Sequence, residues 1–414
     1  MKKNFFVPIL TMLLITIIGC KKDDTTPPVT PVVSITAISP TSGPKTTVVT
    51  ITGTNFGVNL STLKVYFNNV QATVQTATNT SITAVVPTGA GTGNVKVEKS
   101  PGVQVTGPSF TYLGNGSVST VVLTGTITTL NLPSGIARDG SGNLFVCDRD
   151  NHRIVKITPT GDAAVFAGGT MGFTNGTGTT AQFNQPYAIT IDASGNLYIG
   201  DRINNAIRKI TPAAVVTTLA GNGTAGTADG TGSAARFNEP LGVTVDGTGN
   251  VYVADYINNA LRKITPAGVV TTLSSITSIF GVAVDAAGNV YCAQYGQHIV
   301  SKYSSTGVYS VIAGSSTGGN TDGTGTAARF NFPAGIIIDG SGNLYVTETM
   351  NHRMRKITSA GVVTTIAGST GGYTDAVGSA ARFDTPIALC GDFTNSFLYI
   401  ADFGNNRIRK VNIE

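Results

Sequence analysis

The strongest constraint on this chain is a ten-residue stretch that returns six times. DRDNHRIVKI begins at Asp148, DRINNAIRKI at Asp201, DYINNALRKI at Asp255, ETMNHRMRKI at Glu348 and DFGNNRIRKV at Asp402; a diverged copy, QYGQHIVSKY, begins at Gln294. Successive copies stand 53, 54, 39, 54 and 54 residues apart. A catalytic motif is needed once, so sixfold repetition points to architecture, and function has to be sought in what is not repeated. Periods of this size mark propellers or solenoids, whose units cannot bury an apolar face alone.

The third unit shows the pattern within a repeat. LGVTVD (241–246) meets the turn GTGN, then VYVAD (251–255), the loop YINN, ALRKI (260–264), the turn TPAG and VVTTL (269–273). Four short alternating strands make one propeller blade, a radial solution to the problem of exposed sheet edges. The last copy stops at KVNIE with no fourth strand, and STVVLTG (119–125) precedes the first inner strand SGIARD (134–139). The N-terminal stretch is therefore expected to complete the final blade and lock the ring. The pattern PxGIxxDxxGNLYVxDxxNHRIRKI, fullest at 133–157 and 333–357, resembles the NHL repeat. The resemblance implies a six-bladed propeller over 114–414, and it implies no single activity, because related propellers include ligand binders, protein and RNA readers, and lyases.

Ahead of the array, SITAIS, TVVTITG, LKVYFNN, ATVQTAT, SITAVVP and GNVKVEK alternate in hydrophobicity between Gly, Pro and Asn turns. They predict a β-sandwich over 32–113. ISPTSGPKTTVVTITGTNFG, closing with PSFTY at 108–112, is similar to an IPT/TIG domain, an immunoglobulin-like spacer or interaction module. The fold class expected is thus all-β, an immunoglobulin-like sandwich followed by a six-bladed propeller.

Lys2 and Lys3, the apolar run FFVPILTMLLITII (5–18) and Gly19-Cys20 describe a secretory signal, too short to span a bilayer. IIGC resembles the lipobox of bacterial lipoproteins, which implies a signal peptide over 1–19 and acylation of Cys20. An acylated Cys20 would anchor the protein by burying methylenes at about 0.8 kcal/mol each. KKDD after Cys20 resembles a surface-export tag, and 20–31 reads as a Pro-rich tether. The expected location is the outer membrane of a bacterial envelope, facing outward. Without Lys2 and Lys3 the formal charge of +5 falls to about +3, too weak a field to imply nucleic acid. Cys147, Cys292 and Cys390 have no regular spacing and read as small buried residues.

Three repeated groups could be mistaken for chemistry. Asp139, Asp192, Asp246, Asp285, Asp339 and Asp392 end the first strand of each unit, and five precede a Gly-Asn turn that their side chains would close. His152, His298 and His352 share one repeat position, read as aligned with Ala206, Ala260 and Asn406, which favours a structural role over zinc. The Arg and Lys of RKI are expected to lay their stems across neighbouring sheets with the charge outward. No metal or other cofactor is expected.

Four inter-unit connections are long: 167–186, 220–240, 313–333 and 367–386. Long loops on one face of a rigid scaffold are where binding is usually built. Within them Asn175, Asp229, Asp322 and Asp375 stand eight residues before Phe183, Phe237, Phe330 and Phe383. The expectation is that the acids cap Gly turns, the aromatics plug the rim, and Arg236, Arg329 and Arg382 pair with carboxylates. What varies on that face is Phe173, Tyr187, Tyr256, Tyr295, Phe332, Tyr373 and Phe403, with Arg149, Arg202 and Glu239. Aromatics there could stack on sugar rings or anchor a protein. The reading is a surface-anchored binding protein for an extracellular ligand, a glycan among the candidates. The alternatives are a protein–protein adaptor at the envelope and a metal-dependent lyase or lactonase. The last has only Glu239 at the channel mouth, where the other units offer Leu132, Gln185, Phe332 and Thr385.

Overall fold

The computed structural model describes residues 32–87, 90–99 and 103–413; the signal segment, Cys20 and the tether lie outside them. The N-terminal strands, from Ser34–Ser39 to Val103–Tyr112, hydrogen-bond in one continuous run that folds over a common core. Val49, Ile51, Phe56, Val65, Phe67, Ile82, Val97 and Phe110 are fully buried there. Phe67 and Phe110 meet edge to face at 5.1 Å, a favourable aromatic geometry.

From Val118 onward the described residues form six four-stranded blades. In the third, Pro240–Val245 is innermost, followed outward by Val251–Asp255, Ala260–Ile264 and Val269–Ser275. The ring closes as the truncated last repeat predicts. Val118–Thr120 pairs antiparallel with Arg407–Asn412, with Arg409 opposite Thr120 and Val411 opposite Val118. The stretch 119–125 does not stay on one blade, however. Thr124–Gly125 runs parallel to Asp162–Gly168, so the segment ties the sixth blade to the outer edge of the first.

Six hydrophobic clusters lie between neighbouring blades, and strand alternation supplies them from both sides. Phe183, Phe237, Phe330 and Phe383 are fully buried in four of these seams, deeper than a rim plug. Inner strands approach so closely that a Cβ on Gly281 would sit 2.1 Å from the Ala334 carbonyl oxygen, which explains glycine there.

The long connections differ from the sequence expectation in what their length is for. Gly176–Thr177, Gly230–Thr231 and Gly323–Thr324 pair antiparallel with the outer strands of the second, third and fifth blades. Each loop thus descends the outer edge of the next blade and covers an otherwise open ladder. The fourth blade, preceded by the short connection, remains four-stranded with no such cover among the described residues.

Candidate functional site

The repeated decapeptide builds a buried ionic post in four blades. Arg208 donates to the Asp201 carboxylate at 2.8 Å, to the carbonyls of Gln182 and Thr174, and to Asn175 Oδ1. Arg262 with Asp255 and Asp229, Arg355 with Glu348 and Asp322, and Arg409 with Asp402 and Asp375 repeat it. Each guanidinium also lies about 5 Å from the ring of Phe183, Phe237, Phe330 or Phe383. The arginines of RKI are therefore inside, contrary to the expected outward charge, because each finds two acidic or amide partners and two carbonyls. The lysines do behave as expected, with Lys209 over the Tyr198 ring at 5.6 Å. Asp229, Asp322 and Asp375 receive an arginine rather than cap a turn. Arg236 and Arg329 donate to backbone carbonyls, with no carboxylate in the pairing. Burial raises the Asp201 carboxyl to about 6 even against the pull of Arg208, and burial raises Asp255, Glu348 and Asp402 as well. In the first blade Val155 replaces the arginine and Arg153 reaches Asp148 instead, at 2.7 Å. In the fourth, Gln294 bonds Ser301 and Tyr309 without charge.

The acid ring of the inner strands closes turns as expected. Asp139 Oδ1 accepts from the backbone of Ser141 and Asn143, and Asp192, Asp246, Asp285 and Asp339 do the same.

The histidines join one blade to the next. His152 Nδ1 accepts from Gln185 N–H, His298 Nδ1 from Phe332 N–H and His352 Nδ1 from Thr385 N–H, all at 3.1–3.2 Å. The same link is made by Asn205 to Glu239, Asn259 to Ser278 and Asn406 to Leu132. The repeat partners of the histidines are thus Asn205 and Asn259, one residue before Ala206 and Ala260. All twelve linked residues have φ between 47° and 56°, a left-handed conformation that non-glycine residues seldom adopt. The links hold them there, and the second set of six rings the channel mouth. Among the described residues, no three His, Cys, Asp or Glu stand together to hold a metal ion.

Above these links, the mouth is lopsided. Tyr187, Leu241, Phe280, Ala334 and Ile387, one position after the inner-strand start, form a cluster against which Tyr256, Tyr295 and Phe403 pack. Phe280 is its hub, 5.8 Å from Tyr187, 5.9 Å from Tyr256 and stacked on Tyr295 at 5.1 Å. Tyr295 continues to Phe332 at 4.6 Å. Beside these aromatics stand Arg149, 4.7 Å from the Phe403 ring, and Arg202, 6.0 Å from the Tyr187 ring, paired with Glu239 at 2.7 Å and bonded to Gln185. Burial raises the phenols of Tyr187 and Tyr256, which keeps both hydroxyls protonated as donors. Below the arc a cavity of about 300 Å³ follows the inner strands, lined by Ile136, Ile189, Val243, Val282, Ile336 and Leu389.

Eight of the ten residues singled out from sequence therefore meet at the mouth. Phe173 and Tyr373 do not. Phe173 lies over Arg208 at 5.0 Å, while Tyr373 lies over Arg407 and Arg409 and contacts Thr120 through its hydroxyl. Sequence reasoning missed Phe280, although Ser278-Ile279-Phe280 occupies the register of Gln185-Pro186-Tyr187 and the alignment could have found it. Thr349, the fifth-blade counterpart of Arg149 and Tyr295, was also passed over; its hydroxyl lies 3.4 Å from that of Tyr295.

The comparisons agree with this architecture. The IPT/TIG domain model matches residues 33–112, and the NHL repeat model matches 130–157 and 237–264. Protein SUPPRESSOR OF QUENCHING 1, chloroplastic, of Arabidopsis thaliana is 30% identical over 144 residues, covering 32% of this chain and 14% of that protein. Two crystal structures are similar over 93% of this chain and 98% of theirs. One is an auxiliary nutrient binding protein from Bacteroides thetaiotaomicron, with TM-score 0.59 and 19% identity. The other is an auxiliary nutrient binding protein from Bacteroides ovatus, with TM-score 0.60 and 20% identity. At such identities the likeness is one of fold. The chain is an all-β protein in which an IPT/TIG domain precedes a six-bladed propeller carrying NHL repeats.

Proposed function

We propose that this is a cell-envelope binding protein that takes an extracellular glycan at the mouth of its propeller. The observation that carries the reading is the aromatic arc in which Phe280 contacts Tyr187, Tyr256 and Tyr295 and Tyr295 contacts Phe332, with Arg149, Arg202 and Glu239 beside it. Flat aromatic faces suit the C–H faces of sugar rings, and a guanidinium and carboxylate beside them suit hydroxyl groups. Two proteins of the same fold are named for nutrient binding, which is consistent with a capture role. The sequence Lys2-Lys3, 5–18 and Gly19-Cys20 supports a lipid anchor at Cys20, with the tether and the IPT/TIG domain as spacer.

Two experiments test this. Glycan-array binding by the purified protein should be selective and should be lost in Tyr256→Ala; a folded protein that binds no glycan would contradict it. Cys20→Ser should move the protein from the membrane to the soluble fraction, and unchanged membrane attachment would remove the anchor. A protein partner that binds at the mouth and resists competition by sugars would favour the adaptor reading instead.

A further inference from the structure

Three of the four buried arginines meet a carboxylate from the covering connection, and the second blade breaks that rule. Asp229 Oδ1 accepts from Arg262 and from the Thr272 hydroxyl, while its Oδ2 accepts from Thr272 N–H at 3.1 Å. Asp322 does the same with Arg355 and Thr365, and Asp375 with Arg409 and Thr120. The position therefore asks for two acceptor atoms. Asn175 has one, its Oδ1, which takes Arg208 at 2.9 Å and the Thr218 hydroxyl at 3.2 Å. With Oδ1 bound as Asp229 Oδ1 is, Nδ2 takes the place of Asp229 Oδ2, a donor set against the Thr218 N–H. Turning the amide over would present that donor to Arg208 instead.

The residue after Asn175 is Gly176, which has no Cβ to hinder its own backbone nitrogen. Asn175 is exposed, and Gly176–Thr177 is a two-residue strand on the blade's outer edge, a ladder short enough to open locally. We infer that Asn175 is a deamidation site, at which the chain converts its own amide into the aspartate that the other blades carry. When the strand opens, Gly176 N attacks Asn175 Cγ. The Cγ–Nδ2 bond breaks, and Nδ2 leaves as ammonia with the proton of Gly176 N–H. Water then adds to Cγ of the succinimide, the bond from Cγ to Gly176 N breaks, and a proton returns to that nitrogen. One water is consumed, one ammonia is released and the peptide is unchanged. The new oxygen accepts from Thr218 N–H and the new charge faces Arg208, as Asp229 does for Thr272 and Arg262. Opening of the ring at the backbone carbonyl would give an isoaspartyl link, whose extra backbone atom breaks the register of Gly176 with Val216. The closed edge therefore accommodates the aspartyl form. This modification is independent of the mouth.

The test is peptide-mapping mass spectrometry on the full chain, incubated in mildly alkaline buffer and sampled over time, beside thermal melts of Asn175→Asp. Asn175 should gain the mass of an amide-to-acid exchange, and the product should be aspartyl, resisting labelling by isoaspartyl methyltransferase. Asn175→Asp should raise the melting midpoint by about 2–4 °C, the effect of exchanging a neutral contact for a charge-assisted one. Asn222-Gly223 is the internal control. Asn222, also exposed, accepts from Thr224 N–H within its own loop, so Asn222→Asp should leave the midpoint unchanged. An Asn175 that keeps its amide, an isoaspartyl product there, or an Asn175→Asp midpoint no higher than that of the parent or of Asn222→Asp would each overturn the proposal.

Discussion

Arg262 and Asp255 sit 2.7 Å apart with essentially no solvent contact for either side chain. The pair recurs in the second, fifth and sixth blades, and its further partners come from the connection that covers the blade's own edge. Blade, loop and seam are thereby joined at one guanidinium.

Removing that cation leaves the buried Asp255 carboxylate without its counter-ion, held only by Asn238 N–H and Asn258 Nδ2, and takes a donor from the Arg236 and Ala228 carbonyls. Arg262→Met should therefore cost about 3–5 kcal/mol of propeller stability. Lys263→Met, the next residue, loses only an exposed-edge contact with the Tyr252 ring and should cost about 1 kcal/mol or less. Denaturant unfolding of the two variants checks the contrast; equal losses would mean the post is not what holds the loop.

The pH response has two parts with opposite signs. Asp201, raised to about 6, and the raised Asp255, Glu348 and Asp402 bind protons more tightly folded than unfolded. Their contribution to stability therefore increases as pH falls from about 6 toward the ordinary carboxyl range. Asp192, Asp246, Asp285 and Asp339 are lowered by their turn hydrogen bonds, against the opposing effect of burial. Their contribution is present above the unfolded value of 3.8 and is lost as pH falls below it. Thermal melts should show a midpoint that holds or rises from pH 7 to 5 and then drops below about pH 4. A steady decline from pH 7 would contradict the assignment.

Ring closure is tested at Val121, whose N–H donates to the Ile408 carbonyl at 2.9 Å across the first and last strands. Val121→Pro removes the donor and should lower stability by about 3 kcal/mol. Val122→Ala, at a side chain 73% exposed, should be neutral. A melt in which Val121→Pro matches the parent protein would mean that the first strand does not secure the ring.

Much of this was legible in the sequence because a repeat states its own register. The blade count, the strand order and the closing first strand follow from spacing and from a last copy that lacks its fourth strand. What was not legible is where a charged side chain points when its partners are thirty residues away. Arg208 reads as surface charge because Asn175 and the Thr174 carbonyl reach it only through the fold. For the same reason the long connections read as a binding face, although they descend to cover blade edges. At the mouth, Tyr256 and Tyr295 were visible because they break the repeat, whereas Phe280 hid in the blade with the shortened connection. Tyr373 broke the repeat too, yet it belongs to the seam with Thr120.

The most direct test of the account is glycan binding by the parent protein beside Tyr256→Ala, Tyr295→Ala and Tyr373→Ala, followed by calorimetry on any hit. Binding at the mouth predicts that the first two lose affinity by about tenfold or more, the loss of a stacked aromatic contact, at unchanged fold. Tyr373→Ala, outside the arc, should keep it. Affinity lost through Tyr373 and kept without Tyr256 and Tyr295 would place the ligand elsewhere on the propeller and contradict the account.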